Sequence, residues 1–219
     1  MITLGRIKEI EEILPRAHKH TGAKIFQLKQ ELKGVKRVIS CDVDSKIVFW
    51  GLEFDTIWKK KPIMEGMNIS LIDTSEKVRE KQHHILGFSN DLNKVIKDFI
   101  PENSRTENIL RVKGYDKKLV TETNARITKC DFARKPLNKD FVDGISEILY
   151  RLKELFEKRS IKFADISGLK ENIKNEFDTI TFEKSIEGKR AILSEDVSYG
   201  YVNALICFVW ESNFIFLFA

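Results

Sequence analysis

Val35-Lys36-Arg37-Val38-Ile39-Ser40-Cys41-Asp42-Val43-Asp44-Ser45-Lys46-Ile47-Val48-Phe49-Trp50 is the stretch on which the fold turns. Ile39, Cys41 and Val43 alternate with Ser40, Asp42 and Asp44, and Ile47-Val48-Phe49-Trp50 runs on into Leu52, Phe54 and Trp58. A period of two is the mark of a strand, because successive side chains point to opposite faces. Two strands are therefore expected, with Asp44-Ser45 as the tight turn of an antiparallel hairpin that sets Asp42 opposite Ile47. The basic stretch Lys59-Lys60-Lys61 and Pro62 follow the second strand.

Upstream the period is helical. Ile7, Ile10, Ile13 and Leu14 form one apolar stripe ended by Pro15; Ile25, Phe26, Leu28 and Leu32 form another, capped by Thr21 and closed by Gly34. Downstream, Met67 to Asp73 reads as a short strand and Ser75 to His84 as a polar helix. Ser89 caps a helix carrying Leu92, Val95, Ile96, Phe99 and Ile100, which stops at Pro101. Strands are expected at Ile109 to Lys113, Leu119 to Glu122 and Ala125 to Phe132. A long helix from Lys139 to Lys158, capped by Asn138, carries Phe141, Ile145, Ile148, Leu152 and Leu155. A shorter helix over Leu169 to Phe177 precedes a hairpin of Ile180, Phe182 and Ile186 that turns at Glu187-Gly188. Val197 to Phe208 fits a buried helix, while Val202 to Trp210 also fits a strand, and periodicity leaves both open.

Strands and helices come in groups without strict alternation. The expected class is α+β, with antiparallel hairpins and a mixed sheet packed against several amphipathic helices. The 219 residues suit a single domain over 1–219, with 101–105 as the place for a division into two lobes. Met1-Ile2-Thr3-Leu4-Gly5-Arg6 runs straight into charged residues without a signal peptide's apolar core, and Cys41, Cys130 and Cys207 are odd in number and widely spaced. A cytoplasmic chain with reduced thiols is expected. The apolar run from Tyr201 to Ala219 is broken by Asn203, Glu211, Ser212 and Asn213, so it reads as core, and no membrane partner is expected.

The net charge of +5 is unevenly spread. Residues 1–62 carry 13 Lys and Arg against 8 acids, residues 101–140 carry 10 against 6, and residues 178–219 carry 3 against 6. The basic set Arg111, Lys113, Lys117, Lys118, Arg126, Lys129, Arg134 and Lys135 falls in or beside the strands of 105–139, where it can contact the phosphates of DNA or RNA, with Tyr115 or Phe132 to stack on a base. An ordinary lysine-rich surface explains the same residues. Lys59 to Lys61 extend the set. The leading expectation is a nucleic-acid-associated protein with a basic surface.

Two other classes stay open. A subunit of a protein assembly would use the apolar end Phe214-Ile215-Phe216-Leu217-Phe218-Ala219 as a strand completed by a protein partner. A nuclease would need carboxylates or histidines. Asp42, Asp44, Glu53 and Asp55 are too far apart along one hairpin to share an ion, and a solvated sheet face accounts for them. Asp42 is still free to pair with acids from elsewhere, as ribonuclease H-like sites do, although no second anchor is visible. Asp178 with Glu187-Gly188-Lys189 resembles the D…(D/E)xK pattern of restriction-type nucleases, but Gly188 more simply makes a turn. Arg79-Glu80-Lys81-Gln82-His83-His84 has an R-x4-H spacing that resembles the motif of HEPN ribonucleases over six residues. On a helix Arg79 and His83 would share a face, with His84 pointing away, and His83 or His84 would supply acid–base catalysis. His18 and His20 with the scattered cysteines make no zinc spacing, and no phosphate loop or GxSxG elbow occurs. No metal and no cofactor are expected.

Overall fold

The computed structural model describes residues 3–15, 22–59, 77–102, 104–114, 123–184, 188–194 and 199–210. In chain order the elements are α1 (Leu4–Ile13), α2 (Gly22–Leu32), β1 (Lys36–Asp42), β2 (Ile47–Lys59), β3 (Lys77–Ser89), α3 (Leu92–Phe99), β4 (Glu107–Lys113), β5 (Arg126–Lys129), α4 (Gly144–Glu157), β6 (Ile161–Phe163), α5 (Leu169–Asp178), β7 (Ile180–Lys184), β8 (Arg190–Ser194) and α6 (Gly200–Phe208). A six-stranded sheet has the order β5-β4-β1-β2-β3-β6, and β7-β8 form a small antiparallel pair. β2 alone runs against its neighbours; β1 with β4, β4 with β5, and β3 with β6 are parallel pairs. This is an α+β fold with a mixed sheet. The 101–105 stretch joins α3 to β4, and the sheet runs unbroken from the strands before it to the strands after it.

The hairpin of β1 and β2 is the seed of the sheet, with Asp42 paired to Ile47 across the turn as alternation requires. Both its faces are covered, as is usual where parallel partners flank a strand. Val38 and Phe49 join Ile148, Leu152, Leu169, Ile173, Leu205 and Phe208 on the side of α4, α5 and α6. Ile39, Cys41, Val48 and Leu52 join Ile7, Ile10, Leu28, Leu32, Leu92 and Val95 on the side of α1, α2 and α3. Helix ends follow local chemistry: Thr3, Asp91 and Asp143 each accept a hydrogen bond from a backbone N–H three residues on, and Gly34 leaves α2 with φ 79°.

Four expectations change. Residues 77–89 are a strand, not part of a polar helix: β3 pairs with β2 along nearly its whole length, and that ladder overrides the helical preference of a Lys- and Glu-rich stretch. α3 is capped by Asp91 and not Ser89, and α4 starts at Gly144 under Asp143 and not at Lys139 under Asn138. Phe141 instead bridges to Arg190. Ile161–Phe163, too short to show a period, adds a strand beside β3. The ambiguous segment at 200–208 is helix, buried against β1, β2 and β4. The expected strands at Met67 to Asp73 and Leu119 to Glu122 lie outside the described residues. No described helix is long and apolar enough to cross a membrane.

Candidate functional site

β1 and β4 run side by side in one direction, so Asp42 and Lys113 are register partners at their carboxyl ends. Ligand sites of open sheets gather at such ends. By alternation, Ser40, Asp42, Arg111 and Lys113 all face α6. Asp42 is 1% exposed and is met from three elements. Its Oδ2 accepts from Ser45 Oγ at 3.0 Å and from Asn203 Nδ2 of α6 at 3.2 Å; its Oδ1 accepts from Lys113 Nζ at 3.3 Å. Lys113 also lies 3.7 Å from Asp44 Oδ2 and 5.7 Å from the centre of the Phe132 ring. Asp44 is 75% and Lys113 26% exposed in the side chain, so this group opens to solvent on the side of Asp44. The start of α6 is drawn in tightly: a Cβ on Gly200 would lie 2.7 Å from Ser45 Cβ. Its free amides are already satisfied, because Glu176 accepts from the N–H groups of Tyr201 and Val202 at 3.1 and 2.8 Å.

Further along the same face sits a buried charge cluster. Arg111 is fully enclosed; it donates to the carbonyl of Phe208 and, at 3.0 Å, to Glu53 Oε2. Lys81 Nζ lies 3.3 Å and His83 Nδ1 3.7 Å from the same carboxylate. Burial alone would raise the Glu53 pKa, but the Arg111 and Lys81 cations outweigh it and hold it below the usual carboxylate range. Burial, opposed by Glu53, pushes His83 down to about 3, so its ring is neutral at pH 7. Asp42 and Glu53 are thus core residues with cationic partners, and only Asp44 and Asp55 of the acidic set are exposed. The solvated face expected for all four holds for Asp44 and Asp55 and fails for Asp42 and Glu53.

The expected site residues separate. Arg111 is interior. Arg126, at the start of β5, is 54% exposed and 3.3 Å from Glu107. Lys113 and Lys129 stand at the opposite, carboxyl ends of β4 and β5, on different sides of the sheet. Arg134 follows in the loop after β5, 3.3 Å from Glu147, a fully buried carboxylate that also takes Arg151 at 3.2 Å and the N–H of Leu137 at 2.7 Å. Lys135 is exposed beside it. Lys117, Lys118, Tyr115 and Lys60 to Lys61 lie outside the described residues. Phe132 stacks on Trp210 with centroids 5.5 Å apart and also contacts Lys113, so its ring is already engaged.

Arg79, His83 and His84 sit on β3, an inner strand, where the HEPN motif requires a helix. His83 is sealed against Phe208, while His84, on the other face, meets Phe54 edge-on at 4.8 Å. Burial, with Lys162 nearby, lowers the His84 pKa. Gly188, with φ 77°, lies in the β7–β8 connection, as its turn reading requires. The three cysteines are buried free thiols, and burial lifts Cys41 to about 12, which suppresses the reactive thiolate. Among the described residues no group of three or more His, Cys, Asp or Glu is arranged to hold a metal ion. Asp42 does find partners across the fold, but they are an amide and an ammonium, not acids. Comparison with family models, with curated proteins and with solved structures finds no match.

Proposed function

We propose that this chain associates with nucleic acid through backbone phosphates, on the surface where β5 ends and the 130–137 segment begins. The contacts fall to Lys129, Arg134 and Lys135; Lys113, held by Asp42 and Asp44 on the other side of the sheet from Lys129, takes no part, and neither do Arg111 and Arg126. The observation that carries this reading is the sharing of one carboxylate by two arginines. Arg134 and Arg151 both pair with Glu147, which holds two guanidinium groups in place next to the exposed Lys135. Cations already held in place can meet a polyanion without the entropy cost of ordering a mobile side chain. Stacking is no part of the proposal, since the one candidate ring described, Phe132, is occupied. Catalysis by His83 has no support either, because a ring sealed beneath α6 cannot reach a substrate.

Fluorescence anisotropy with a labelled mixed-sequence single strand and duplex tests the reading. Affinity should drop steeply between about 50 and 200 mM salt, and each lost phosphate contact should flatten the log–log slope by roughly 0.7 to 0.9. Lys129→Ala and Lys135→Ala should each weaken binding, and Arg126→Ala, at the far end of β5, should leave it unchanged. Binding that ignores salt, or that responds to Arg126 and not to Lys135, would overturn the assignment.

A further inference from the structure

α4, β6 and α5 line an open groove of about 440 Å³, within the roughly 300–1,000 Å³ typical of small-ligand sites. Phe156, Phe163, Phe177 and Ile173 form its floor. Phe156 stacks on Phe163 with centroids 6.3 Å apart and meets Phe177 edge-on at 5.8 Å. The side chains of this floor hold no donor or acceptor, which favours hydrocarbon against them. A base or a sugar would give up its hydrogen bonds to water and receive none in return. The rim is different in kind. Lys170 and Lys174, both exposed, stand one turn apart on the same face of α5. Lys170 lies in the first turn of that helix, whose amino end adds to its potential. Lys153 faces them from α4, its ammonium 4.9 Å from the Phe182 ring. Glu157 and Asp178 complete the rim, so its cations outnumber its acids.

We propose that this groove binds a medium-chain alkyl carboxylate, its chain laid on the three rings and its headgroup held between Lys170 and Lys174. The site is separate from the nucleic-acid surface and depends on none of its residues. Amide chemical shifts of the full chain, followed while decanoate, decanol or decyltrimethylammonium is added below its aggregation limit, test the idea. Decanoate should give saturable shifts confined to the ends of α4 and α5 and to β6. Decanol, which lacks the charge, should bind about tenfold more weakly, as expected for two surface charge pairs together. The double variant Lys170→Glu/Lys174→Glu, at positions exposed enough to leave the fold intact, should reverse the preference toward decyltrimethylammonium. Equal binding of the three amphiphiles, shifts elsewhere in the chain, or no saturable binding of decanoate would each overturn the proposal. Binding to anionic phospholipid vesicles without binding of monomeric decanoate would do so as well, since the ligand would then be a membrane surface.

Discussion

Arg37 shows how a single buried charge organises a corner of the molecule. It is fully buried on the α1 side of β1, where Glu11 accepts two hydrogen bonds from its guanidinium at 2.9 and 2.6 Å and Ser104 and Thr106 accept from the same group. Breaking such a pair leaves an uncompensated charge in the interior, and Glu11→Gln should therefore cost about 3 to 5 kcal/mol. The double change Arg37→Met/Glu11→Met should recover much of that loss, because two apolar side chains need no partner. Urea denaturation of the two variants decides the matter; equal losses in both would show that packing, and not charge, sets the cost. Nothing local in the sequence marks this pair. The same holds for Asp42: Lys113 is visible as a basic residue near the end of a strand, but Asn203 comes from a helix 161 residues away, and no spacing rule reaches that far.

Elements were legible where pattern and partner agree. β1 and β2 alternate cleanly and share a tight turn, so local signal and tertiary pairing point the same way. β3 conceals its nature because its first half is Lys- and Glu-rich, and only the long β2 ladder makes it a strand. The parallel pairings of β4, β5 and β6 are invisible for a related reason: crossovers leave no local trace. Close approach between elements is equally silent, and Gly51 makes it measurable. A Cβ there would lie 2.0 Å from the carbonyl oxygen of His84 and 2.9 Å from Phe208 Cζ, so β3 or α6 would have to move. Gly51→Ala should cost about 3 kcal/mol or more, at the upper end of overpacking effects. Gly188→Ala meets open space and only the strain of φ 77°, worth about 1 to 2 kcal/mol. Thermal unfolding should rank Gly51→Ala well below Gly188→Ala, and the reverse order would mean that β2, β3 and α6 are not packed this closely.

At the scale of the whole molecule, the charged interior beneath α6 ties stability to pH, and the sign follows from which groups are neutral. The Glu53 and Glu11 pKa values are held below the ordinary carboxylate range, so their contributions persist as pH falls toward about 4.5 and are lost only below it. His83 acts earlier. Its pKa is near 6.5 in the unfolded chain and about 3 in the folded one, so unfolding takes up a proton once pH falls below about 6.5. The stability it contributes is full above that value and declines through the folded pKa. Between pH 6.5 and 4.5 the loss should be roughly 2 to 3 kcal/mol. His84, lowered in the same direction, adds a smaller slope of the same sign. His83→Gln removes the titrating ring and should flatten the pH dependence in this window while leaving the carboxylate-driven fall below pH 4.5 in place. Urea unfolding of both proteins at pH 7, 5.5 and 4.5 measures the difference directly; parallel curves would mean that His83 titrates alike in the folded and unfolded chain, and a wild type that gains on the variant as pH falls would mean that the folded ring is a cation paired with Glu53.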